Sequence, residues 1–197
     1  MSALADTRQP LDLPSDLSVE DFFDWLEQQD RRFELVEGTP LMLPNVRRSH
    51  ARIVSNIDRM LQRALDPDRF LVTQGDFAIR TGPRSLRYAD ILVDEASDDL
   101  AARSTDRAIL IVEVLSDSTA PNDFGPKRLE YQRLPKLQTY LIVDQDKPCV
   151  WEWSRRGEGW NDAPAIVSSG EVRVDALQLT LPLEEIYRNI LMVSGDR

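Results

Sequence analysis

Cysteine and histidine are almost missing from this chain. One of each, Cys149 and His50, occurs in 197 residues, which excludes an internal disulfide framework and a structural zinc site. No apolar run approaches the ~20 residues that a membrane helix needs. Lysine is scarce too: only Lys127, Lys136 and Lys147 stand among 24 basic residues, so arginine is the default cation and an inward-facing lysine asks for a reason. Positive charge as a whole is in deficit, with 34 acids giving a net charge of −10 and a pI near 4.7. That is a poor global match to a polyanion, whose binding gains from phosphate neutralisation; any basic groove has to be local. Met1 to Pro14 carries neither a basic head nor an apolar centre, so it does not read as a signal peptide, and a cytoplasmic location is expected.

What is present suits a globular protein. The length allows one domain with a proper core, and the balance of apolar and charged residues is ordinary. Residues 1–17, with Pro10 and Pro14, read as a flexible arm, and 18–192 as a single domain. Ser18-Val19-Glu20-Asp21 resembles a capping box opening a helix through about Gln29. Glu37-Gly38-Thr39-Pro40 signals a hairpin between 32–36 and 41–43. Ser49 is expected to cap a long helix through Leu65, with Ile53, Val54, Ile57 and Leu61 on its apolar face. Strands are expected at 70–80, 86–93, 108–115 and 139–144, a helix at 123–134 and a closing helix at 183–192. This order indicates a mixed central sheet flanked by helices.

Glu113 is the residue that does not belong. It sits inside Ile109-Leu110-Ile111-Val112-Glu113-Val114-Leu115, a run apolar enough to be a buried strand, where an unpaired carboxylate costs on the order of several kcal/mol. It therefore needs a cation. Asp90 opens a second apolar run, Ile91-Leu92-Val93. On the 123–134 helix, Phe124, Lys127, Tyr131 and Leu134 share the side that faces the sheet, so Lys127 points inward. Two strand-borne acids and an ammonium are the parts of a metal-assisted phosphodiester cleavage site, in which a hard divalent cation and a nearby cation neutralise the charge that builds on phosphorus. A plain buried Glu113–Lys127 salt bridge, with Asp90 as a strand-end turn residue, fits the same spacing.

Several of these segments together resemble a known family. Arg32-Phe33-Glu34-Leu35-Val36-Glu37-Gly38, His50, Tyr88-Ala89-Asp90, the run from Ile111 to Thr119, Asp123 with Lys127 and Tyr131, and Tyr140 to Asp144 are similar to the Uma-two family, described as restriction endonucleases of the PD-(D/E)xK nuclease superfamily. The resemblance spans about residues 18 to 190. It implies an α/β fold with a restriction-endonuclease-like mixed central sheet flanked by helices, and a DNA endonuclease that uses Mg²⁺ or Mn²⁺. By the same resemblance Asp90 and Glu113 are the catalytic, metal-holding acids, the main-chain carbonyl of Val114 completes the protein ligands, and Lys127 activates water and stabilises phosphate. The superfamily's usual lysine lies two residues beyond the glutamate, where this chain has Leu115; Lys127 matches a displaced position. Ala89 and Asp117 stand where prolines are usual. Glu34 and His50 also match family positions: Glu34 could assist at the metal pocket or be an exposed strand acid, and His50 could contact phosphate or bond a loop carbonyl. Cutting a duplex needs two sites, so a homodimer is expected.

Two other classes stay open: a catalytically silent interaction module on the same fold, and a metal-free glycoside hydrolase built on the carboxylate pair. Arg48, Arg52, Arg59 and Arg63 fall within about 60° of one another on the long helix at 3.6 residues per turn, as a phosphate track or simply a solvated face. Trp151 and Trp153 share a strand face, to stack bases or to cover the sheet.

Overall fold

The computed structural model describes residues 13–115 and 120–190. Most of the expected arm, Ser116–Thr119 of the family-like run, and the last two residues of the expected closing helix lie outside them. The Ser18 hydroxyl accepts from the Asp21 N–H and opens α1 (Val19–Leu26), which ends a few residues short of Gln29. The hairpin forms as β1 (Phe33–Val36) and β2 (Thr39–Met42), paired antiparallel with Val36 opposite Thr39. Its two loop residues, Glu37 and Gly38, both have positive φ, 49° and 82°. That is the mirror-image turn whose twist suits a two-residue hairpin. The long helix α2 (Arg48–Ala64) begins one residue before Ser49, after Arg47, with no side-chain cap. Its apolar residues Ile53, Val54, Ile57 and Leu61 are buried.

Two expected strands are each cut in half. Residues 70–80 divide into β3 (Phe70–Thr73) and β4 (Ala78–Gly82), and 86–93 into β5 (Ser85–Arg87) and β6 (Ile91–Glu95). β3 pairs with β6, whereas β4 pairs with β5 in a different sheet. The chain leaves the central sheet at Gln74, makes a hairpin elsewhere, and returns at Asp90. Apolar alternation is the same in both sheets, so periodicity cannot reveal the change.

After the short β7 (Ser104–Thr105) comes β8 (Leu110–Val114), buried throughout. The expected 123–134 helix is likewise two pieces, α3 (Ala120–Phe124) and α4 (Pro126–Tyr131), broken at Gly125. There follow β9 (Thr139–Val143), β10 (Val150–Arg156), β11 (Gly159–Trp160), β12 (Ala165–Val167), β13 (Glu171–Val174) and β14 (Leu179–Pro182). The closing helix α5 (Leu183–Ile186) is shorter than expected and gives way to a turn with Asn189 at φ 61°.

The central sheet runs β11-β10-β9-β8-β6-β3. β8 and β9 are parallel, and β3/β6, β6/β8 and β9/β10 are antiparallel. Parallel neighbours need a crossover, and α3 with α4 supplies it. A second sheet, β2-β1-β5-β4-β7, lies beside the first. The faces of the central sheet differ in chemistry. One is aliphatic: Ile91, Val93, Leu110, Val112 and Val114 pack with the buried side of α2 and with Ile186. The other is aromatic: Leu92, Ile111, Tyr140, Ile142 and Trp153 pack with Tyr131 of α4. Trp153 and the half-buried Trp151 both set an edge against the Phe124 ring. The tryptophan pair thus covers the sheet.

Gly125 lets the crossover bend. A Cβ there would lie 2.7 Å from the main-chain oxygen of Pro121, a backbone atom that cannot swing aside. Gly125→Ala is expected to lower stability by about 1–3 kcal/mol, the usual cost of overpacking, as a shift of the urea unfolding midpoint.

Candidate active site

Strand alternation sends Glu113 to the aromatic face. Val112 and Val114 join the aliphatic cluster and Ile111 the aromatic one, so Glu113 follows Ile111. Ile91 pairs with Val112 across the antiparallel β6/β8 ladder. One step further sets Asp90 opposite Glu113. Asp90 stands just beyond the last pair of that ladder, its carboxylate turned to His50 of α2 yet near enough to Glu113 to raise its pKa, so two acids distant in sequence meet at one end of the sheet.

The same logic delivers Glu34. Phe33 and Leu35 pack with α1 residues Val19 and Phe22, leaving Glu34 on the opposite side of β1. Leu35 pairs with Leu86, and one step along places Glu34 across from Arg87. Their side chains meet with Arg87 Nη1 3.0 Å from Glu34 Oε2, each about 1 % exposed. Arg87 also donates to Glu130 of α4, from Nε at 2.8 Å and Nη2 at 2.5 Å. Glu130 additionally accepts from the Thr81 hydroxyl at 2.9 Å.

Lys127 joins the two sheets. Its Nζ lies 2.9 Å from Glu113 Oε1 and 3.1 Å from Glu34 Oε1, with the lysine side chain only 5 % exposed. Tyr131, one turn later on α4, donates its hydroxyl to Glu113 Oε1 at 2.9 Å. The Tyr88 N–H donates to Glu34 Oε1 at 3.0 Å. Lys127, Glu130 and Tyr131 thus stand at i, i+3 and i+4, the spacing that shares one helix side.

Asp90 is held separately. Its Oδ2 accepts from the Val114 N–H at 2.7 Å and lies 3.0 Å from His50 Nε2. His50 reaches it from the first turn of α2, so its partner is the Asp90 carboxylate and not a loop carbonyl. His50 is buried, and its Nδ1 has no hydrogen-bond partner among the described residues. The Asp90 side chain keeps 25 % exposure, which leaves it facing solvent in part.

The electrostatics follow from crowding. Burial pushes the Glu113 carboxyl well above the ordinary glutamate range; Lys127 pulls it down, while Asp123 and Asp90 push it further up. Burial by itself favours the neutral amine of Lys127. Glu113, Glu34 and Asp123 outweigh it and hold the ammonium well above the ordinary lysine range. Glu34 ends on the other side: burial raises it, but Lys127, Arg87 and the Tyr88 N–H together bring its pKa below the usual value. Burial, with Glu113 and Glu34 beside it, raises the Tyr131 phenol well above its usual range.

These residues suit a hard divalent cation. Five acids (Glu34, Asp90, Glu113, Asp123 and Glu130) stand around two bases, Lys127 and Arg87. Among the described residues no three His, Cys, Asp or Glu side chains are grouped to hold a metal by themselves. A metal here would rest on two carboxylates, main-chain oxygen and water, a donor set that Mg²⁺ accepts.

Sequence reasoning missed Arg87 and Glu130, and it placed Asp123, which is buried, among the family-like residues without giving it a role. Arg87 ends a short strand and looks like any surface arginine until the cross-strand register puts it opposite Glu34. Tyr131 was visible as an inward residue, but its bond to Glu113 was not.

Two predictions follow from the ion cluster. Arg87→Met strands Glu34 and Glu130 without their guanidinium and should cost about 3–5 kcal/mol, the scale for breaking a buried charge pair, seen in thermal or urea unfolding. Glu34 has a depressed folded pKa, so its contribution to stability is complete above the unfolded value near 4.5 and fades as pH falls below it. The stability gap between wild type and Glu34→Gln should be flat from about pH 7 to about pH 5.5 and narrow at lower pH; a gap that widens on acidification would contradict the assignment.

Comparison with known proteins gives the chain a family. The sequence profile of the Uma2 family, described as "Putative restriction endonuclease", matches residues 19–186. Two uncharacterised Synechocystis proteins are related along the chain. Protein sll1609 is 26% identical over 133 residues, covering 66% of this chain and 75% of its own. Protein slr1290 is 23% identical over 176 residues, covering 88% and 93%. A crystal structure from Anabaena variabilis, of a "putative nuclease belonging to DUF820", superposes with a TM-score of 0.72 at 16% identity, over 87% of this chain and 98% of that one. At that identity the likeness speaks for the fold alone, a mixed α/β architecture. With the profile covering nearly every described element, from α1 to α5, the chain belongs to the Uma2 family of restriction-endonuclease-like proteins.

Proposed function

We propose that this protein is a metal-dependent DNA endonuclease that hydrolyses phosphodiester bonds. The observation that carries the reading is Lys127. A buried ammonium bonded to Glu113 and Glu34, beside a partly exposed Asp90, is costly to build and has a clear use next to phosphate. Asp90 and Glu113, with the Val114 carbonyl, would hold Mg²⁺ or Mn²⁺, which when bound supplies charge neutralisation and an activated water.

The chain's own residues set the rest. The Val114 N–H and His50 fix the Asp90 carboxylate through one oxygen, which orients the other. Tyr131 and Lys127 do the same for Glu113. Lys127 is placed to orient the attacking water or a non-bridging phosphate oxygen. Arg87 clamps Glu34, and through it the ammonium, so that Glu34 acts as a positioning residue. Water adds to phosphorus, the bond to the leaving sugar oxygen breaks, and that oxygen takes up a proton. Cleavage of both strands would need two such sites, so the working form is proposed to be a homodimer. A metal-free glycosidase is disfavoured because Glu113, which it would need as a free nucleophile, is tied to Lys127 and Tyr131.

The test is nicking of supercoiled plasmid with Mn²⁺. Wild type should nick, and Asp90→Ala and Lys127→Ala should each lose activity by at least about 100-fold, the scale for removing one charge-stabilising group. Titration calorimetry should show Mn²⁺ heat in wild type that disappears in Asp90→Ala. Equal nicking by all three proteins would place the chemistry elsewhere.

A further inference from the structure

In a chain with 34 acids and 24 bases, a surface arginine finds a carboxylate easily. Arg80, Arg103 and Arg173 each lie 3.0 Å from one, and Arg84 and Arg188 are paired as well. Arg31, Arg69, Arg133 and Arg156 have no carboxylate partner among the described residues, and the outer face of α2 gathers four more on one side of a single helix. Arg48, Arg52, Arg59 and Arg63 are exposed and fall within an arc of about 60°. Among the described residues, Arg48, Arg52 and Arg63 form no ion pair or hydrogen bond. Arg59 has only the neutral Ser55 hydroxyl, at 3.4 Å. Ser55 and Gln62, which flank that arc on the Arg48 side, are uncharged, and Asp58 lies roughly 80° from Arg48 on the helix. Like charges spaced four apart on a helix are destabilising. An acid-rich protein that leaves four of them together uncompensated is keeping them for an external anion.

Spacing and position indicate which anion. Arg48 to Arg63 covers about 22 Å at 1.5 Å per residue. A duplex presents one phosphate per strand every ~3.4 Å of axis, so the row spans about six base pairs. Along the helix axis the row begins at the level of the site: Arg48 and Arg52 flank His50, which bonds Asp90 from the opposite, buried side of α2. An open depression lined by Arg48, Ala51, Arg52 and Ser55 lies at this end. A lipid surface fits less well, because insertion needs apolar residues along the contact and this arc has none. We propose that the arginine row of α2 is a docking track for the sugar-phosphate backbone of duplex DNA, leading it to the Asp90–Glu113 end of the sheet. The choice of DNA among polyanions rests on the function proposed above.

The experiment is fluorescence anisotropy with a labelled 20-base-pair duplex in EDTA, which prevents cleavage, over a KCl series. Arg52→Gln/Arg59→Gln/Arg63→Gln is compared with wild type and with Arg173→Gln, Arg48 being left intact because it adjoins His50. The triple variant should bind at least about tenfold more weakly at 0.1 M salt, and the slope of log K against log salt should fall by about 2–3, close to 0.9 per lost phosphate contact. Arg173→Gln should match wild type, and an unchanged thermal melt shows that the triple variant is folded. Unchanged affinity and slope in the triple variant overturns the inference, as does tighter binding to phosphatidylserine vesicles than to duplex through the same arginines. The nicking assay separates the two readings. If wild type nicks in an Asp90-dependent way while the triple variant binds DNA normally, the track is wrong and the nuclease stands. If the triple variant loses binding but Asp90→Ala nicks like wild type, the track stands and the catalytic assignment is wrong.

Discussion

The ammonium of Lys127, held between Glu113 and Glu34, is the constraint that the rest of the structure serves. Each carboxylate belongs to a different sheet, and the lysine to a helix that joins neither by main-chain bonds. None of the three charges would be tolerable in its place without the other two, because desolvation of a lone buried ion costs more than a single core contact returns. The surrounding geometry can be understood from this demand. The chain leaves the central sheet between β3 and β6 so that β5 can bring Arg87 to Glu34. The crossover bends at Gly125 so that α4 can point Lys127, Glu130 and Tyr131 inward together.

Those same features decide what could be read from the sequence. Glu113 was legible because a carboxylate inside an unbroken apolar run has no neutral explanation, and Lys127 because it falls at the helical spacing of core residues. The fold class was legible from the order of elements. The breaks were not, since a strand that changes sheets keeps its alternation, and a glycine within a helical pattern is compatible with either continuity or a bend. Arg87 was hidden for a further reason. Its importance lies in the one-residue extension of the Leu35–Leu86 pairing, which is a property of register and has no local signature. His50 was noticed as a helix-start residue, but only the packing of α2 against the sheet determines that it meets Asp90.

The two faces of the central sheet divide the labour. The face toward α2 is aliphatic, with Val112 and Val114 fully or nearly fully buried. The opposite face mixes aromatic rings with the ion cluster, and Tyr131 belongs to both, packing edge-on to Tyr140 while bonding Glu113. Polar groups there are satisfied by one another, as buried polar networks must be. The overall acidity of the molecule is therefore no guide to its local surfaces: four exposed arginines share the outer side of α2, while five acids gather around Lys127 and Arg87 at the end of the sheet.

The placement of the lysine on a separate helix has a consequence for how relatives are recognised. When acid and ammonium share one strand, their separation along the chain is fixed by the pleat, and a short text pattern finds them. Here the interval between Glu113 and Lys127 includes a crossover bent at Gly125, and its length can drift without moving either charge. Distant cousins of this protein are thus better sought by overlaying charges in space than by scanning for a fixed interval of letters.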